Sequence, residues 1–253
     1  MKYNFYKPFR KEVFAVSRAF LILCAVLPAA VLMAYIYKKD KLEKESPAIL
    51  KKLVLFGIVS TLPAIVIEAV GSSVLAAVYE TNSLPYAVLM NFLVIAGAEE
   101  GSKFFFLKRK SWNAPDFNCQ FDGVVYSVFV SLGFALLENI MYVLQYGFST
   151  AVARAVLSVP GHACFGVFMG AFYGMAKRYE TGYCPQNCQN CLRRSVLIPM
   201  LLHGIYDFIA TTNIGGAVFF LVFVIIVFSF GIRLTNKLSK EDRYIDATHW
   251  YSI

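Results

Sequence analysis

The stretch LPYAVLMNFLVIAGAEEGSKFFFL at positions 84–107 decides how the chain is read. Its length and apolar character suit a helix crossing the roughly 30 Å of a bilayer's hydrocarbon, yet Glu99, Glu100 and Lys103 stand near one end. A charged side chain deep in a bilayer costs roughly 2.5–3.5 kcal/mol on insertion scales, so ionisable groups inside a span point to a functional site. In a helix Lys103 lies four residues from Glu99 and three from Glu100, close enough for one ammonium to offset either acid. The alternative is that Lys108, Arg109 and Lys110 draw the group into the lipid headgroups.

The rest of the chain agrees with a span at this point. Of its 253 residues 58% are hydrophobic and 16% charged, with a mean hydropathy of +0.59. That balance describes a multi-pass membrane protein and excludes an ordinary soluble domain. The formal charge of +8 invites a nucleic-acid reading. The Lys and Arg residues fall instead in short segments between apolar runs, where they act as topology signals, and no basic-aromatic face appears, so nucleic acid is not an expected partner.

Seven spans are expected, at 19–37, 53–79, 84–107, 121–146, 151–176, 196–211 and 217–234. The fold class is all-α, a polytopic transmembrane bundle over 19–235 with a polar basic lead at 1–18 and a polar tail at 236–253. The first span is kept as an anchor because Lys38-Lys39-Asp40-Lys41 follows it with no small-residue cleavage pattern. Lys and Arg are plentiful after spans one, three, five and seven and sparse after the others. That places the C-terminus inside, with only the basic lead (Lys2, Lys7, Arg10, Lys11 and Arg18) arguing otherwise.

Further polar groups interrupt the apolar runs. The fourth span opens with Asp122 and carries Glu138-Asn139, and the second holds an isolated Glu68. In the fifth, Pro160 precedes Gly161-His162 and frees a carbonyl one turn earlier. In the sixth, His203 and Asp207 are four apart, so the carboxylate can fix the imidazole's tautomer. At about 1.5 Å per residue, Glu99 and Glu100 lie roughly 10 Å from the inner end of their span and His203 roughly 11 Å. On the same rise His162 lies at about 20 Å and Glu138 near roughly 25 Å. The glutamate pair and His203 therefore share a level that His162 can join, with Glu138 above it. They are expected to surround one polar cavity reached from the cytoplasmic side.

Four ordered motifs now stand together: EEGSK at 99–103, FDGVVY at 121–126 followed by SLGFALLEN at 131–139, Arg154 with the His162 segment, and LLHGIYDF at 201–208. They resemble the PrsW family of bacterial intramembrane proteases, which is distantly similar to the CAAX prenyl proteases. The resemblance implies a protease of the bacterial inner membrane that cuts a membrane-anchored anti-sigma factor and so releases a sigma factor. It puts the catalytic residues at Glu99, Glu100 and His203, with His162, Glu138, Asn139 and Asp207 in the same motifs. Glu68 matches none of them.

The chemistry can be written beside that resemblance. Peptide hydrolysis needs an activated water, support for the developing oxyanion and a proton for the leaving amine. Adjacent helical positions diverge by about 100°, so Glu99 and Glu100 do different work. One of them is the base acting on water, His203 the oxyanion support or proton donor, Asp207 its orienter, and Lys103 the charge that limits repulsion. In that form no cofactor is required. A zinc form is also writable, with His162, His203 and a carboxylate such as Glu138 as ligands and an open position for water, although no H-E-x-x-H pattern is present.

The glycines at 166, 170 and 174 repeat every four residues and read as a stripe for close helix packing. CPQNCQNC at 184–191 lies in an expected cytoplasmic loop at 182–194. Cys184, Cys188 and Cys191, with Cys119 from another loop, suit either a structural four-thiolate zinc site or free thiols. Two rival functions fit acids and imidazoles within spans: a proton-coupled transporter, which predicts inverted repeats that are not evident here, and a non-catalytic membrane binding protein.

Overall fold

The computed structural model describes residues 17–212 and 214–245. Most of the basic lead at 1–18 and the last eight residues of the tail lie outside the described residues. Among the described residues the chain is helical without a strand: α1 Arg18–Lys39, α2 Pro47–Val78, α3 Leu84–Leu89, α4 Ala96–Ser111, α5 Asp122–Tyr146, α6 Phe148–Val156, α7 Ser158–Thr181, α8 Pro185–Thr212 and α9 Gly216–Lys240. A π-helical turn, Met90–Ile95, joins α3 to α4. With α3–α4 and α6–α7 each taken as one run, these make the seven expected passes. Six are long and apolar enough to cross a membrane; the seventh is the run that carries Glu99, Glu100 and Lys103.

The local chemistry explains the ends. Ser17, Ser46 and Ser83 each accept a hydrogen bond from a backbone N–H three residues on, and Pro47 and Pro85 sit in the first turns that follow. These are caps that satisfy donors a helix start leaves free. The fifth pass breaks at Leu157, three residues before Pro160. A proline there has no N–H to return to Val156, so the run divides into α6 and α7 where the sequence suggested opening.

Helices α5 and α7 form the centre. Their apolar windows are 72% and 67% buried, against 17–28% for the other four candidate spans. Close approach explains this. A Cβ added at Gly170 would stand 2.4 Å from the Gly123 carbonyl oxygen, and one at Gly174 would stand 2.1 Å from that of Gln120. The expected glycine stripe is therefore where α7 lies backbone to backbone against α5. The outer helices present Leu62, Val66, Val70 and Val74 on α2 and Ile225, Ile226 and Phe230 on α9, an apolar surface suited to lipid.

The end of the bundle that carries the Lys/Arg-rich connections is closed. Leu107, Phe117, Phe121, Tyr126 and Tyr173 belong to one buried cluster there. Asp122 accepts from the backbone N–H groups of Asn118 and Cys119, Tyr126 donates to Glu45 at 2.8 Å, and the Glu45 N–H donates to Asp40. Residues 242–245 fold back onto this end: Asp242 accepts from the Phe121 N–H and Tyr244 bridges to Cys119.

The cysteine segment differs from its expected form. Cys188 and Cys191 sit in the first turns of α8, packed against Trp112, Ala176 and Tyr179, because Pro185 starts the helix eleven residues earlier than the span expected from hydropathy at 196. Segment 182–194 is therefore mostly helix rather than loop. Cys119 is held in its bridge to Tyr244, and no three of Cys119, Cys184, Cys188 and Cys191 bring donor atoms within 4.8 Å of one another. The four-thiolate zinc reading is not met by this arrangement, and none of the four is in a disulfide.

Candidate active site

The π-helical turn sets the register of the site. Asn91, buried within it, donates from Nδ2 to the Ala87 carbonyl and to Thr211 of α8. Wide turns of this kind are frequent at functional sites. From Ala96 onward α4 resumes regular winding, and Glu99, Glu100 and Lys103 all point into the bundle, buried. The headgroup alternative is thereby replaced by an interior placement.

Lys103 is the hub. Its Nζ, with no exposed surface, donates to Glu99 Oε2 at 3.0 Å and Glu100 Oε1 at 2.8 Å and stands 3.1 Å from His162 Nδ1. An ammonium has three donors and no acceptor, so His162 Nδ1 is the acceptor and its proton is on Nε2. That Nε2–H faces Glu138 Oε2 at 2.9 Å. Glu138 is also paired with Arg154 at 2.8 Å, and the Arg154 Nε–H donates to Asn139 Oδ1. Asn139 in turn donates to the Ala25 carbonyl of α1. On the other side His203 Nδ1 faces Glu100 Oε1 at 2.9 Å and its Nε2 faces Asp207 Oδ2 at 3.2 Å.

The two imidazoles therefore differ. His162 is flanked by one donor and one acceptor and is neutral, whereas His203 is flanked by carboxylates on both nitrogens and meets them by donating from both. Phe165 stacks on the His203 ring with centroids 4.9 Å apart and an interplanar angle of 21°, which fixes the plane in which those N–H groups point. The result is a single hydrogen-bonded line from α1 through α5, α6, α7 and α4 to α8.

A cavity of about 550 Å³ opens beside this line. Glu99, Glu138, His162, His203 and Asp207 line it, whereas Glu100 and Lys103 do not. The adjacent glutamates are thus separated as their helical spacing requires: Glu99 faces the cavity and Glu100 faces the interior, where its Oε2 has no protein partner.

Two expectations are corrected. Glu138 does not stand apart from the others; it is hydrogen-bonded to His162, because counting residues along a span ignores tilt and the different depths at which helices begin. Nor does the cavity lead toward the basic connections. On every helix its lining runs from the site toward the opposite end, through Met141 and Tyr142 of α5, Ala153 of α6, Ala210 and Thr211 of α8 and Phe220 of α9. The aromatic and aliphatic cluster around Phe121 and Tyr126 closes the other side.

Sequence reasoning assigned no role to Asn91, Thr211 or Glu68, all of which line the cavity. For Glu68 the signal was present: an isolated acid within a span. Asn91 lies two turns before Glu99, where an amide within an apolar run marks the same face.

Metal binding can be tested on the donors. Among the described residues Glu99, Glu100 and His162 are the one group of three whose donor atoms lie within 4.8 Å of one another. All three turn onto Lys103 Nζ at 2.8–3.1 Å, so the centre of this set already holds a cation of the chain's own. A divalent ion does not fit beside that ammonium; ligation would require Lys103 to withdraw. The other expected set, His162, His203 and Glu138, is not gathered, because each ring nitrogen of His203 already has a carboxylate partner.

The chain is similar to known proteins over most of its length. A family model described as "PrsW family intramembrane metalloprotease" matches residues 45–232. Proteins named "Protease PrsW" are 38% identical over 189 residues in Geobacillus kaustophilus, covering 75% of this chain and 79% of that one. The protein of that name in Bacillus subtilis is 32% identical over 217 residues, covering 86% and 94%. That in Clostridioides difficile is 31% identical over 230 residues, covering 89% and 94%. No solved structure matches the chain.

Proposed function

We propose, from the premise that this chain belongs to the PrsW family and is a multi-pass membrane peptidase, that it hydrolyses one peptide bond within a single-span membrane protein. The substrate class is an anti-sigma factor, whose cleavage frees a sigma factor. The observation that carries the reading is the split role of the glutamate pair. Glu99 borders the cavity while Lys103 holds one of its oxygens, so a charged base is available where a substrate and a water can reach it.

In this mechanism Glu99 takes a proton from water as the water oxygen bonds to the scissile carbonyl carbon. The His203 Nε2–H, which Asp207 accepts in the resting site, is shared with the developing oxyanion. Collapse breaks the C–N bond, and the proton held by Glu99 passes to the leaving amine. Glu100 and Asp207 position His203, and Glu138 positions His162, which accepts from Lys103 and so keeps the ammonium centred between the glutamates. Asn139 and Arg154 tie that arrangement to α1. Lys103 supplies the positive charge that lets two carboxylates share a small dry space, and no metal is needed.

Residues 19–235 would form this catalytic bundle in the bacterial inner membrane, with the basic connections and the 236–253 tail in the cytoplasm. The cavity then opens toward the outer half of the membrane. Co-expression with single-span anti-sigma factors tests the reading. Cleavage by the native chain should fall at least roughly 100-fold in Glu99→Gln and be lost in His203→Ala. Undiminished cleavage by Glu99→Gln would remove its role as base. Cleavage by purified protein should survive a chelator; loss that zinc restores would overturn the metal-free form.

A further inference from the structure

Glu68 is the carboxylate of the cavity that has no hydrogen-bond or ion-pair partner among the described residues. Glu99 has Lys103, Glu138 has Arg154 and His162, and Asp207 has His203. Glu68, half-buried on α2, makes no hydrogen bond or ion pair with any described residue. Glu99, Glu138 and His203 line the same cavity, and the charges of Glu99 and Glu138 act on it against those of Lys103 and His203. Arg154 is the one Lys or Arg among the lining residues, and Glu138 and Asn139 already hold it. A carboxyl inside a span with no direct ion-pair or hydrogen-bond partner is expensive. It is retained where binding supplies the missing charge.

We propose that Glu68 forms a subsite for a lysine or arginine side chain carried by the membrane segment of the substrate. The wall around it suits such a side chain. Ile65, Met141 and Tyr142 line the same cavity, so an aliphatic stem can lie along apolar surface while its charged head reaches the acid. Because the cavity leads away from the basic connections, the cation must lie toward that end of the substrate's span. Loops at the non-cytoplasmic end are generally poor in Lys and Arg, so the subsite separates true substrates from most other single-span proteins. This selectivity rests on the peptidase reading above, with Glu68 acting in recognition rather than in bond breaking.

Binding and cleavage are measured separately. Two synthetic single-span peptides carry lysine or methionine at one position in the non-cytoplasmic half of the span, scanned over one helical turn. Affinity is read with the Glu99→Gln protein in lipid nanodiscs, where no cleavage intervenes. At the matching position the lysine peptide should bind roughly tenfold more tightly, and that ratio should fall to about one when Glu68→Gln is added. In the native background the same ratio should appear in kcat/KM. Glu68→Lys should invert the preference toward a glutamate peptide; if it fails to fold, Glu68→Gln still decides. A ratio of one at every position, or a lysine preference that survives Glu68→Gln, would overturn the subsite. Lysine-selective binding with no cleavage by the native chain would instead count against the peptidase reading.

Discussion

Two groups of acids lie at different depths of this bundle and are kept there by opposite means. In and behind the cavity wall Glu99, Glu100, Glu138 and Asp207 are matched by Lys103, Arg154 and His203, so each acid has a basic group beside it. At the closed basic end Asp40, Glu45 and Asp122 have backbone N–H groups, a tyrosine hydroxyl and one another. Burial and the like charges of Asp40 and Asp116 raise the Glu45 carboxyl, which favours its protonated form. The first group is held by opposite charge beside the cavity; the second is held by hydrogen bonds from backbone and a tyrosine and acts as a latch. Burial alone therefore does not identify a catalytic acid, and the nature of its partner does.

The strongest way to break the comparison is to convert the first group into the second. Lys103→Met removes the ammonium and leaves Glu99 and Glu100 facing each other without compensation. Removing one member of a buried charge set costs about 3–5 kcal/mol, so thermal unfolding in detergent should shift strongly downward and cleavage should be lost. Lys103→Arg should not restore activity, because a planar guanidinium cannot direct donors at three acceptors that converge on one point. Full activity in Lys103→Met would show that the glutamates do not depend on it.

A smaller change tests the latch without touching the cavity. Tyr126→Phe deletes the hydroxyl that donates to Glu45 and leaves a buried acid with one partner fewer. The expected loss is about 1 kcal/mol of stability, read as a modest drop in unfolding temperature with kcat unchanged. A fall in kcat at constant stability would mean that the two regions communicate.

These perturbations also mark what the sequence makes legible. The seven passes were readable because lipid demands long apolar helices, and the split of Glu99 from Glu100 followed from the 100° between neighbours on a helix. The tie between His162 and Glu138 was not, because depth counted along a chain contains neither tilt nor the tucked start of α5 at Phe121. The direction of the cavity was hidden for a related reason: charge in the loops reports topology, whereas the open side depends on how the helices pack against one another. The cysteines misled because C-x3-C-x2-C spacing suits both metal thiolates and the successive turns of a helix, and only the position of Pro185 separates the two.

The smallest expected effect comes from protons, and it separates the two groups most cleanly. Burial, followed by the charges of Asp242 and Glu43, pushes Asp40 from 3.8 up to about 6 against the opposing pull of Lys44 and the Glu45 N–H. Burial, with the charges of Asp40 and Asp116, pushes Glu45 from 4.5 up to about 7 despite the Tyr126 hydrogen bond. Carboxyls raised in the folded state bind protons more tightly there than in the unfolded chain. Their contribution to stability is therefore complete below about pH 4 and declines as pH rises through 6 and 7. Hydrogen exchange at the amides of 40–46 and 118–122 should quicken across that window beyond its intrinsic pH dependence, while the amides around Lys103 should show no such excess. Glu45→Gln, which cannot lose a proton, should flatten the profile of the latch. An unchanged profile in that variant would leave the acids of the basic end no different in kind from those of the cavity.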